Sequence, residues 1–199
     1  WVMKPFRLGL TGSIGMGKTT TAAMFAAAGL PVWDADAAVH RLYAPGGRAV
    51  SPIAALCPDS LVGDAVSRPV LKAWIARDDL ALARIEAVVH PLVAADRHAF
   101  LTDVVADIVV LDVPLLFEKG TETEMDATLL VTAPLLLQRS RVLPRPGMTE
   151  ALFASILARQ MPDAQKRARA THIVETLGLD AVQAYVATLI AYIRESRHA

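Results

Sequence analysis

A single cysteine, Cys57, is all the thiol chemistry this 199-residue chain holds, which excludes an internal disulfide framework and suits a reducing compartment. No thiol-activating motif surrounds it, so it reads as a small buried residue and not a nucleophile. No charge of one sign is in excess: 20 Lys and Arg balance 20 Asp and Glu, so the global basic footprint of a nucleic-acid binder is missing. Long apolar runs are missing as well. The 54% hydrophobic content excludes a disordered chain. Yet runs such as Ile108–Leu111 and Leu129–Val131 are strand-sized, far short of the ~20 residues a membrane span needs. His40, His90, His98 and His172 lack the helical spacing of a zinc site. Trp1 to Pro5 contain no apolar signal core, which makes Met3 the candidate start and the cytoplasm the expected compartment.

What is present is a phosphate-binding signature. Gly12-Ser13-Ile14-Gly15-Met16-Gly17-Lys18-Thr19 fits G-x-x-x-x-G-K-[ST], the P-loop. A predicted strand, Phe6–Thr11, precedes it, and a predicted helix, Thr19–Ala28, follows and is closed by Gly29. That context aims backbone N–H groups and the positive end of a helix dipole at an anion. Lys18 can reach the β- and γ-phosphates and the Thr19 hydroxyl can ligate Mg²⁺, with Thr20 beside them on the first helical turn. A mere tight turn would not need the flanking strand and helix. The motif predicts a nucleoside triphosphate with Mg²⁺, and leaves open what is done with it.

Five apolar runs, Phe6–Thr11, Pro31–Asp34, Asp107–Asp112, Ala127–Thr132 and Thr171–Thr176, alternate with helical patterns. This predicts an α/β fold, a five-stranded parallel sheet with helices on both faces. More than sixty residues between the second and third runs show no strand pattern, and Pro91 predicts the start of a new helix there. The expected division is a P-loop nucleotide-binding core (5–44, 106–137 and 166–199), a helical insertion (45–105) and a lid (138–165). The stretch from Gln138 to Arg169 carries seven basic residues (Arg139, Arg141, Arg145, Arg159, Lys166, Arg167, Arg169) against two acidic ones, Glu150 and Asp163. A solvated helical face would look the same, but beside a P-loop a phosphate-facing lobe fits better.

Asp34-Ala35-Asp36 closes the second run, where ligands bind in doubly wound sheets. Extended alternation would put both carboxylates on one side, one to orient Mg²⁺ and one to accept a hydroxyl proton; a helix N-cap at Asp36 is the competing role. Asp112 ends an apolar strand as a Walker B acid does, and is a candidate to support Mg²⁺. Arg141 and Arg145, four apart, would share a face if their helix extends that far, and could close over the triphosphate.

Together these residues resemble the dephospho-CoA kinase family over about Leu8 to Gly178. The resemblance runs through the P-loop, Val32-Trp33-Asp34-Ala35-Asp36, His40, Pro45-Gly46, Ile85 to Val93 with His90-Pro91, and Asp112-Val113-Pro114-Leu115-Leu116-Phe117-Glu118. Gln138, Arg141, Arg145, Gln160 and Lys166 complete it. It implies ATP-dependent phosphorylation of the ribose 3′-hydroxyl of dephospho-CoA, on a core similar to nucleoside monophosphate kinases with a helical acceptor-binding insertion and a lid. By the same resemblance Asp36 is the catalytic base, Asp34 an Mg²⁺ or structural partner, and Arg141 and Arg145 phosphate ligands on the lid side. His90, Pro91 and Leu115 fall on the acceptor side. Ser67, Ile156 and Thr176 depart from residues frequent in the family, Thr176 standing where an Asn is common. No membrane or nucleic-acid partner is expected, and the protein should be a monomer or small homo-oligomer.

Overall fold

Apolar runs buried on both sides become the centre of a sheet. In chain order the strands are β1 (Phe6–Thr11), β2 (Val32–Asp34), β3 (Leu61–Val62), β4 (Ala65–Val66), β5 (Ile108–Asp112), β6 (Ala127–Thr132) and β7 (His172–Glu175). The helices are α1 (Lys18–Ala27), α2 (Ala35–Tyr43), α3 (Val50–Leu56), α4 (Arg68–Arg77), α5 (Ala81–Asp103), α6 (Leu135–Val142), α7 (Glu150–Arg159), α8 (Asp163–Arg169) and α9 (Leu179–Ser196). This computed structural model describes residues 4–197, so the reading of Met3 as a start lies outside the described residues.

The chain divides into two compact units, residues 34–104 and the remainder. The first to be described holds the five-stranded sheet, ordered β2-β5-β1-β6-β7. β1 pairs in parallel with β5 and β6, and β6 with β7. Leu8, Leu10, Ile108, Val110, Leu129 and Val131 pack with Phe25 of α1 and with Val182, Val186, Ile190 and Ile193 of α9. Val182, Val186, Ile190 and Ile193 recur at helical spacing, and α9 buries this apolar stripe.

The second unit gathers α2 to α5 around Leu42, Ile53, Leu71, Ile85 and Val89. It departs from expectation twice. The antiparallel pair β3–β4 lies where no strand was expected, because two-residue strands are too short to show a period. Pro91 does not begin a helix; it sits inside the single helix α5. Val88 and Val89 before it and Leu92 and Val93 after it pack on the same cluster, while Pro91 itself is exposed. Burial along one face outweighs the loss of one backbone donor.

Candidate active site

The P-loop is fixed from behind through its carbonyls. Ile14 O accepts from Gln138 Nε2 at 2.8 Å, Gly15 O from Arg141 Nη1 at 3.4 Å and Met16 O from Thr176 Oγ1 at 2.7 Å. Gly17 O accepts from the Thr21 N–H and hydroxyl, both at 3.0 Å. In a trans peptide the carbonyl of one residue and the N–H of the next point in opposite directions. Anchoring these carbonyls therefore turns the Gly15, Gly17 and Lys18 N–H groups to the other side. Thr19 and Thr20 add the open donors of a helix start, and among the described residues none of these five N–H groups has a protein acceptor. Gly15 (φ 73°) and Gly17 (φ 92°) hold the left-handed conformations this path needs. A Cβ on Gly15 would also collide with Val142, and one on Gly17 would come within 3.2 Å of Thr176. Gly12, Ser13 and Met16 are buried as the chain leaves β1.

Lys18 and Asp112, expected to serve phosphate and Mg²⁺ respectively, lie side by side. The Lys18 ammonium is paired with the Asp112 carboxylate, which is 3% exposed at the end of β5, opposite Leu10 of β1. Asp112 and the exposed Thr19 hydroxyl are hard oxygen donors that suit Mg²⁺. Among the described residues there is no cluster of three or more metal-ligating side chains. A cation held here would take its other ligands from phosphate and water, as Mg²⁺ characteristically does.

Asp34 and Asp36 are placed differently from the expected alternation. The chain turns from strand to helix at Ala35, and Asp34, not Asp36, is the N-cap of α2. One Asp34 oxygen accepts the N–H groups of Asp36 at 2.8 Å and Ala37 at 3.0 Å. Asp36 lies in the first turn of α2, where the helix dipole favours a carboxylate.

The arginines separate. α6 ends at Val142, with Pro144, Pro146 and Gly147 just beyond, so Arg145 lies in a turn and shares no helical face with Arg141. Arg141 bonds Thr176 Oγ1 at 2.9 Å and Thr176 O at 2.5 Å besides Gly15, and so braces the loop. Arg139 pairs with Glu150, Lys166 with Glu118, Arg167 with Asp163 and Glu175, and Arg169 with Glu122. Arg145 and Arg159 are exposed and, among the described residues, their side chains make no hydrogen bond or ion pair. His90 is exposed, 3.5 Å from Glu86 one turn earlier, and Leu115 is half-buried after β5.

Three anchors of the loop, Gln138, Thr176 and Thr21, carry no recognisable motif. Gln138 and Thr176 were marked only by the family resemblance, Thr176 as a departure from it. Its hydroxyl nevertheless serves both Met16 and Arg141.

The family model for dephospho-CoA kinase matches residues 6–179. A dephospho-CoA kinase of Cereibacter sphaeroides is 70% identical over 197 residues, covering 99% of this chain and all of that one. A solved structure from Thermus thermophilus is 37% identical with a TM-score of 0.83, covering 95% of this chain and 98% of that one. A dephospho-CoA kinase structure from Campylobacter jejuni, 16% identical with a TM-score of 0.66 over 96% of this chain and 98% of that one, shares the fold. With its P-loop, its parallel sheet and this likeness along its length, the chain belongs to the dephospho-CoA kinase family.

Proposed function

We infer that the protein transfers the γ-phosphoryl group of ATP to the ribose 3′-hydroxyl of dephospho-CoA, giving coenzyme A and ADP. The observation that carries this is the P-loop whose carbonyls are tied outward while its N–H groups stay open, in a chain of this family. The acceptor oxygen forms a bond to the γ-phosphorus as the bond to the bridging oxygen of ADP breaks, and the hydroxyl proton passes to Asp36. Lys18 and the N–H groups of residues 15 and 17–20 hold the β- and γ-phosphates. Arg141 keeps the loop in shape, and Arg145, with its guanidinium open, meets the charge that develops on the transferred group. Mg²⁺, taken up through Thr19 with Asp34 or Asp112 directly or through water, supplies charge neutralisation on the phosphates. His90, Pro91 and Leu115 contribute on the acceptor side, the 45–105 insertion receives the acceptor, and the 138–165 segment serves as a lid. Among the described residues no helix is long and apolar enough to cross a membrane, and we place the reaction in the cytoplasm.

An ATP-coupled assay with dephospho-CoA against a panel of other hydroxyl acceptors tests the reading. ADP release that depends on dephospho-CoA is expected; hydrolysis indifferent to any acceptor would contradict it. In Asp36→Asn, kcat should fall by roughly 10²–10⁴-fold with ATP affinity little changed. A near-normal kcat would remove Asp36 as the base.

A further inference from the structure

Lys166 on α8 is fully buried, at 0% exposure, which is rare for a lysine unless it is paired. Its ammonium lies 2.8 Å from Glu118 Oε1, as an ion pair without aligned hydrogen-bond geometry. The same Glu118 oxygen accepts the Met161 N–H at 2.8 Å. Met161 follows Gln160, whose Oε1 accepts the Ile14 N–H at 3.3 Å. Ile14 O is held at the same time by Gln138. Ile14 is thus gripped at both of its polar backbone groups by two glutamines, one from α6 and one from the end of α7.

Stability alone gives no reason for a buried lysine paired with a partly buried glutamate here. Well-packed apolar residues of like volume commonly serve as well as a buried ion pair, or better. What an apolar residue cannot do is accept the Met161 N–H, and a carboxylate that does so needs its charge balanced. The ion pair therefore makes sense as the support of an acceptor set at a fixed place, and the segment fixed there carries Gln160.

We propose that Glu118 is a positioning residue for phosphoryl transfer: balanced by Lys166, it fixes the Met161 backbone so that Gln160, together with Gln138, sets the conformation in which the P-loop receives ATP. This rests on the kinase reading above, so its test reads nucleotide binding separately from turnover. The measurements are the ATP dissociation constant by calorimetry, KM for each substrate, kcat, and melting temperature, on four variants. Gln160→Ala should weaken ATP binding and raise the ATP KM roughly tenfold, the scale of one lost hydrogen bond, with the acceptor KM and the melting temperature close to the parent's. Glu118→Ala and Gln138→Ala should weaken ATP binding similarly. The double variant Glu118→Gln with Lys166→Met keeps an acceptor for Met161 and removes both charges; it should recover ATP affinity to within about threefold of the parent. Parent-like ATP affinity in Gln160→Ala would overturn the proposal. So would a folded double variant that binds ATP as weakly as Glu118→Ala. If Glu118→Ala does not fold, Gln160→Ala and the double variant decide. A shift in ATP binding without any transfer to dephospho-CoA would uphold the relay and reject the acceptor assignment.

Discussion

Arg141 and Arg145 differ in what each guanidinium already touches. Arg141 spends its donors on Gly15 and Thr176, whereas Arg145 makes no hydrogen bond or ion pair among the described residues. Their losses should therefore look different. Arg145→Ala should lower kcat/KM for ATP by roughly 10–100-fold, the scale of charge-assisted hydrogen bonds, without moving the melting temperature. Arg141→Ala should raise the ATP KM and lower the melting temperature together, because it releases the loop. Steady-state kinetics paired with thermal denaturation separate the two, and matching profiles would refute the distinction. At this scale the glycine-rich loop was legible and its supports were not. Gly12 to Thr19 form a motif because the ligand imposes a backbone path. The carbonyls behind that path need only some donor, and Gln138, Arg141 and Thr176 reach them from more than a hundred residues away. No spacing rule connects such partners.

Among the elements, the sheet strands were the most readable, since strands buried on both faces are written as unbroken apolar runs. β1 and β6 match their predicted spans, and β2, β5 and β7 begin or end within a residue of theirs. The failures fall where local signals compete with packing: Pro91 inside α5, the turn to helix at Ala35, and the end of α6 before Arg145. β7 carries a further consequence in His172, partly buried and edge-on to the Tyr192 ring at 6.0 Å. Burial lowers the pKa of this histidine in the folded protein. As pH falls the unfolded chain takes up the proton first, so the neutral ring contributes stability above the unfolded pKa of ~6.5, lost as pH falls through the lower folded value. His172→Gln should accordingly lose melting temperature less steeply than the parent between about pH 7 and pH 5. Parallel curves would show that His172 plays no part in acid sensitivity.

For the molecule as a whole, the two units should answer to different ligands. Amide hydrogen exchange monitored by mass spectrometry should slow within residues 12–21 when ATP is added. With dephospho-CoA alone it should slow within residues 34–104, the helical unit. Protection by dephospho-CoA confined to the sheet unit would remove the helical unit from acceptor binding. The general plan, a P-loop sheet with a helical insertion, was visible in the sequence as a gap of more than sixty residues between two predicted strands. The boundary at Asp34 was not, because α2 continues directly from β2 and packs with α5.

Interleaving also governs the order in which this protein comes together during translation. The helical unit is one unbroken stretch of chain and needs nothing made after Val104. β1 is made before it, yet its hydrogen-bonding neighbours begin only at Ile108 and Ala127. At ribosomal speeds that leaves the central strand, with Leu8 and Leu10, unpaired for roughly 5–20 s. The glycine-rich turn waits longer still, since Thr176, which holds Met16, is among the last residues of the sheet unit to emerge before α9. The nucleotide pocket is thus a late product of synthesis, even though its signature is made before every strand of the sheet but β1.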